Sequence, residues 1–337
     1  MNIIHIGLGN RGKRWILTAR ENPNLVSVGC VDPDSSALDW VRTHFPKVPY
    51  GTDLHTVLYK VNADAAVIAG SPWVRAGETI KALEAGLAVL AEFPFAMSLT
   101  DAARVLDVSQ STGKPLLIAG SGTIPCVSVL RGLLDDKKLG AITHVSWIDH
   151  RFVSSEAEAS VPYSQLVSIG VNHLQALRQI LGTDPVSLIS RCSRSSWSQY
   201  QHGSTTEAFV RMQNGIHVQY HGSLTSNQNE HILFVEGDKG ALKAEKSRVW
   251  WRKRGWRFFL PLSLRKFSLQ ELWQPDSLLT QLGAGVRDEL PSNTSDEDNL
   301  QMIATLEAVM KSDKTGKVVE IPSVPTALKV ASLKSLA

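Results

Sequence analysis

The chain holds 337 residues, 43% of them hydrophobic and 20% charged, with a net charge of +3. That length exceeds one ordinary core and that balance is usual for a folded globular protein, so disordered and collagen-like classes are excluded and two domains are expected. No run of about 18 apolar residues occurs, and the first apolar run passes at once into glycines and bases, which predicts a cytoplasmic protein with neither a membrane span nor a secretory leader.

In chain order, Ile3 to Gly7, Leu25 to Val31, Ala65 to Ala69, Ala88 to Ala91 and Pro115 to Ala119 are candidate strands separated by stretches with helical spacing. Such alternation predicts a doubly wound parallel sheet within an α/β domain, assigned to residues 1–120. From about residue 141 the texture changes. Ala141 to Phe152, Val186 to Ser196, Glu207 to Met212, Ile216 to Gly222, His231 to Val235 and Ala241 to Ala244 read as consecutive strands with glycine turns between some of them. An α+β domain with an open, mostly antiparallel sheet is therefore expected over 121–325, followed by a helix over 326–337 that returns to the first domain. Cys30, Cys126 and Cys192 have neither disulfide nor metal-ligand spacing, so they read as small buried hydrophobes and no metal site is expected.

The strongest chemical motif is Gly7-Leu8-Gly9-Asn10-Arg11-Gly12, directly after a predicted strand and opening a helix. In a dinucleotide site the first glycine allows the tight turn, the second lets backbone approach the pyrophosphate, and the third lets helix pack on strand. Asp32 closes the second strand at the position that accepts from adenosine ribose hydroxyls and repels a 2′-phosphate. The reading is an NAD site, with Arg11 leaving NADP open. Ser71 and Pro72 follow a strand end, where open sheets place their ligands. Arg75, one turn on, is a candidate clamp for a substrate carboxylate.

Ala82-Leu83-Glu84-Ala85-Gly86 running into Val89-Leu90-Ala91-Glu92-Phe93-Pro94-Phe95-Ala96 resembles the ALEAGKHVLCEKPLA stretch of the glucose-fructose oxidoreductase and inositol dehydrogenase family, Gfo/Idh/MocA. The resemblance implies a Rossmann domain followed by an α+β domain, with Glu92, Phe93 and Pro94 lining the nicotinamide and substrate bound at the domain junction. It also implies pairing of the open sheets in homodimers or homotetramers, and a helix ending at Gly182. The lysine of the E-K-P motif is Phe93 here, which can neither donate a proton nor hydrogen-bond a sugar hydroxyl. The family's D-x-G-x-H-x-x-D helix corresponds to Ser168 through Gln175, placing Ser168 and Gln175 at the aspartates and Asn172 at the histidine. His173 beside it is the candidate catalytic acid, although one residue of shift turns a helical side chain by about 100°.

Tyr163, Ser168, Asn172 and Arg75 complete the expected substrate-facing set. Trp147 and Arg151 share one face of a predicted strand and His150 the other. Eight of the 35 basic residues lie between Lys246 and Lys266 with no acid among them, interleaved with Trp250, Trp251, Trp256, Phe258 and Phe259. This segment reads as a hairpin turning at Lys253-Arg254-Gly255, with aromatics packed and arginines outside, and neither nucleic acid nor membrane is expected as a partner. Together these features predict an NAD(P)-dependent oxidoreductase with a nonstandard active site acting on a small organic substrate. Because biliverdin reductases carry an aromatic residue in place of that lysine, reduction of a conjugated acceptor stands beside it, as does a cofactor-binding protein without redox turnover.

Overall fold

Strand runs that are apolar at nearly every residue can be buried on both faces, and such runs dominate the amino-terminal half. The computed structural model describes residues 1–119, 126–135, 138–154, 159–262, 275–287 and 296–324. In it, β1 (Asn2–Ile6), β2 (Val26–Val31), β3 (Tyr50–Gly51), β4 (Ala65–Ile68), β5 (Ala88–Glu92) and β6 (Leu116–Ala119) form one sheet ordered β3-β2-β1-β4-β5-β6. All its pairs are parallel. The connecting helices are α1 (Asn10–Glu21), α2 (Ser35–His44), α3 (Leu54–Leu58), α4 (Pro72–Glu84) and α5 (Leu99–Thr112). Strand order reverses between β1 and β4, so the crevice beyond their carboxyl ends is the ligand position of a doubly wound sheet. Every residue of β4 and β5 is buried, as a parallel sheet covered on both faces requires.

The second sheet alternates instead. In β9 (Thr205–Met212) every second side chain is buried, which one covered and one open face produces. Its partners are β7 (Ile142–Phe152), β8 (Pro185–Ser193), β10 (His217–Ser223), β11 (Thr225–Gly237), β12 (Gly240–Glu245), β13 (Arg248–Lys253), β14 (Leu260–Leu262) and β15 (Val319–Glu320), ordered β14-β13-β12-β11-β7-β10-β9-β8-β15. Only β7 with β10 runs parallel among its pairs. Helix α6 (Cys126–Asp135) precedes the sheet, and a π-helical turn (Leu166–Gly170) leads into α7 (Val171–Leu181), which stops at Gly182 in a left-handed conformation.

The described residues form two compact units, and their division corrects the expected boundary at 121–325. Residues 275–287 and 296–303 belong with 1–119 in unit 1, whereas 126–262 and 304–323 make up unit 2. The physical reason is α8 (Pro275–Val286), which lies against β5 and α1 with Leu279 and Leu282 buried. The following α9 (Asp296–Thr315) passes from the first unit's residues to the second's at Ile303. The expected helix over 326–337 lies outside the described residues. The hairpin reading is corrected in part. Trp256 is 47% and Phe258 69% exposed, with Arg252 over the Phe259 ring and Arg257 over that of Phe258, so bases and aromatics share the solvent side there.

Candidate active site

The glycine turn is held by contacts that forbid side chains at two positions and leave a third open. Gly7 has φ 86°, and a Cβ on it would collide with the backbone of Ala69 and Gly70, while one on Gly12 would collide with the Gly7 carbonyl. Around Gly9 no described residue comes within 4 Å of such an atom. An open space thus sits over the amino end of α1, where the first-turn amides of Asn10, Arg11 and Gly12 have no intrahelical acceptor. Asp32 is oriented by two backbone donors, Leu8 N–H at 2.6 Å and Asp34 N–H at 2.8 Å, one on each carboxylate oxygen. Each oxygen keeps a lone pair for a ribose hydroxyl. These residues therefore fit a bound dinucleotide.

Arg75 departs from its expected role. Its guanidinium is buried and donates to the carbonyls of Gly70 (2.7 Å), Glu92 (3.1 Å) and Pro94 (2.5 Å). A clamp spent on three carbonyls holds the β5 exit loop rather than a substrate carboxylate. Burial pulls its pKa down to about 10, which the nearby Glu92 and Glu78 oppose. The Glu92 side chain is also committed inward, accepting from Trp15 Nε1 at 2.6 Å. Phe93 is half-buried and joins Pro94 through a cis peptide. Ser71 is exposed and precedes Pro72 at the start of α4, a position that needs no N–H. Sequence reasoning passed over Glu78. Burial, opposed by Arg75 and reinforced by Asp32, lifts its carboxyl to about 7, and its Oε2 has no hydrogen-bond partner among the described residues.

Unit 2 carries a buried polar cluster on the covered face of its sheet. Trp147, Asp149 and Arg151 alternate on β7, and the neighbouring strands bring Tyr220 beside Trp147 and His231 beside Asp149. Asp149 accepts from His231 Nδ1 and from Arg151, through Nε at 2.8 Å and Nη2 at 2.9 Å. Although burial works the other way, the hydrogen bond from His231, the charge near His173 and the Arg151 pair keep the Asp149 carboxyl well below the usual carboxylate range. Gln165 Nε2 donates to the Tyr220 hydroxyl at 2.7 Å, and that hydroxyl in turn donates to His173 Nδ1 at 3.1 Å. The Nε2-protonated tautomer of His173 suits this chain, its Nδ1 accepting from the hydroxyl. Gly222 lacks a side chain because a Cβ there would collide with Gln165 and with the Tyr220 hydroxyl.

His173 is accordingly not an acid poised near neutrality. It is 2% exposed, stacks on Trp147 with centroids 4.6 Å apart, and burial drops its pKa to about 4. At neutral pH it is a neutral hydrogen-bond donor. Ser168 donates back to Ser164 O at 2.5 Å inside the π-helical turn, and Asn172 is buried nearby. Tyr163 has φ 56° and donates to Asp313 at 3.2 Å, with burial raising its hydroxyl to about 12; it packs rather than donating to a ligand. The cluster's members Asp149, Gln165, Tyr220 and His231 were missed, though the odd positions of β7 pointed to the first of them. Among the described residues no group of side chains suits a metal ion, and no helix is long and apolar enough to cross a membrane.

Comparison with known proteins assigns the family of both domains. Residues 1–120 match the model of the Gfo/Idh/MocA oxidoreductase family's NAD-binding Rossmann fold, and residues 164–321 match that of its C-terminal alpha/beta domain. The chain belongs to the Gfo/Idh/MocA oxidoreductase family, and its first domain is the NAD-binding one. Across 95% of both chains it is 24% identical to an uncharacterized protein, y4oX, of Sinorhizobium fredii. It is 22% identical to 1,5-anhydro-D-fructose reductase of Ensifer adhaerens, over 80% of this chain and 83% of that one. The WlbA dehydrogenase of Bordetella pertussis, solved with NADH and UDP-GlcNAcA, shares the fold at a TM-score of 0.76 and 16% identity, covering 95% of this chain and 98% of the other.

Proposed function

We propose that this protein is an NAD-dependent oxidoreductase that moves a hydride to or from a small polar organic substrate without an active-site lysine. The observation that carries the reading is Asp32, locked by two backbone amides beside an open glycine turn. NAD, when bound, supplies the hydride acceptor or donor. Gly9 and the first-turn amides of α1 would hold its diphosphate, Asp32 and Ser71 its ribose hydroxyls, and Phe93 with Pro94 would border the nicotinamide. In unit 2, His173 would offer a neutral Nε2–H to a substrate oxygen, a polarising hydrogen bond rather than a proton transfer at neutral pH. Curated relatives include a reductase of 1,5-anhydro-D-fructose, which supports a small oxygenated substrate. Phe93 favours a second reading, in which the acceptor is conjugated and takes hydride without an adjacent amine.

The test is NADH fluorescence on mixing. Wild type binds, and Asp32→Ala weakens binding about tenfold or more by removing a charged acceptor. Unchanged affinity in Asp32→Ala overturns the cofactor placement. Absorbance of reduced nicotinamide then follows a panel of polyols, oxo sugars, 2-oxo acids and biliverdin. Silence across that panel turns the conclusion toward a cofactor-binding protein without turnover.

A further inference from the structure

We propose that Arg151 is the recognition residue for a carboxylate on the substrate, extending the reading of unit 2 as the substrate-handling half. The argument starts from how the guanidinium is held. Asp149 takes its Nε and Nη2 edge in a side-on pair, so the ion cannot rotate. A guanidinium has five N–H bonds in a fixed fork. The pair with Asp149 leaves both hydrogens of Nη1 and one of Nη2 on the outer end, and no described residue accepts from Nη1. The side chain is 24% exposed while its Asp149 partner is buried. An arginine anchored at one edge and open at the other presents the planar, bidentate geometry that a carboxylate matches.

The surroundings point to a polar occupant as well. Gln165 is fully buried, and its Oε1 accepts from nothing among the described residues. Its other amide atom is tied to Tyr220, so this oxygen is held in place. Gly170 and Gly222 both lack the Cβ that would crowd Gln165. Asp149, His173, Tyr220 and His231 are all buried on the same face. Burying so many polar groups costs stability unless partners complete them. An isolated structural ion pair would require neither the unpaired Gln165 Oε1 nor the open outer edge of Arg151. The acidic residues of the neighbouring strands, Glu207 and Glu230, belong to the other face, beside His221 and His150, so Asp149 is the acid that Arg151 meets.

The experiment uses the full chain with saturating NAD and malonate as the probe, read by calorimetric titration. Malonamide, the neutral diamide, and inorganic phosphate are the comparison ligands. Malonate binds and malonamide does not. Arg151→Gln weakens malonate about tenfold or more while NADH affinity stays within about twofold. Equal malonate binding in wild type and Arg151→Gln overturns the proposal, as does wild-type protein that ignores malonate or prefers phosphate. Should Arg151→Gln fail to fold, phenylglyoxal modification of the wild type decides. Malonate then shields Arg151 in the peptide mass map, and protection at some other arginine refutes the assignment. Loss of NADH binding in the wild type would sink the cofactor reading separately, since the malonate arms can be repeated without NAD.

Discussion

Acid should destabilise unit 2 through one histidine, and replacing that residue should abolish the effect. His173 has a pKa near 4 in the folded chain against 6.5 when exposed, chiefly because burial penalises the imidazolium, with Asp149 opposing. Between those values the unfolded chain binds more protons than the folded one. The contribution is therefore fully present above about pH 6.5 and is lost as pH falls toward 4. At about pH 4.5 the loss amounts to about 2.5 kcal/mol. His173→Phe keeps a ring against Trp147 but leaves the Tyr220 hydroxyl without its acceptor, costing about 1–2 kcal/mol at pH 7. The variant is therefore less stable than wild type at pH 7 and more stable, by roughly 1 kcal/mol, at about pH 4.5. Urea unfolding followed by tryptophan fluorescence at both pH values measures this, since Trp147 reports on the same unit. His5, whose pKa burial lowers to about 3, adds a similar pH dependence to both proteins and cancels in the comparison. Parallel curves that never cross would refute the assignment of the buried neutral imidazole.

Two further outcomes follow from packing. Arg75→Met removes the donor to three carbonyls and should cost about 3–5 kcal/mol, with NADH affinity falling alongside as the Gly70 and Pro94 segments loosen; unfolding midpoints within about 0.5 kcal/mol of wild type would show that those bonds hold nothing. Gly222→Ala pushes a methyl into Gln165 and Tyr220 and should destabilise unit 2 by about 1–3 kcal/mol while leaving NADH binding unchanged. A neutral result there would mean the Gln165 chain has room that its contacts deny.

The sheets were legible because their physics is local. Buried parallel strands announce themselves as continuous apolar runs such as Ala65–Ile68, and the alternation of Thr205–Met212 announces an open face. The edge strands Tyr50–Gly51 and Val319–Glu320 carry two residues each and leave no periodicity to read. The glycine turn was legible for the same local reason, whereas Arg75 was not. Its spacing from the strand end fits a ligand clamp, and only folding brings the carbonyls of Gly70, Glu92 and Pro94 around it. The Asp149 cluster draws residues from three strands, from Gln165 just ahead of the π-helical turn and from α7, so no sequence window contains it. His173 was found by resemblance, yet its protonation depends on burial that no motif encodes. The Val31-Asp32 ending, by contrast, was enough to place the acid beside the glycines.

Helix α8 has a consequence for synthesis on the ribosome. The nucleotide-binding sheet is finished by a segment made more than a hundred residues later than its last strand, since Pro275–Val286 covers β5 and α1. A nascent chain that has delivered all six parallel strands still exposes the strip awaiting Leu279 and Leu282. Translation must pass through β7 to β14, all of the second sheet except its last edge strand, before that strip is covered. An amino-terminal fragment cut at the sheet's apparent end would emerge with a sticky flank, and expression trials should graft the late helix onto it rather than trim it away.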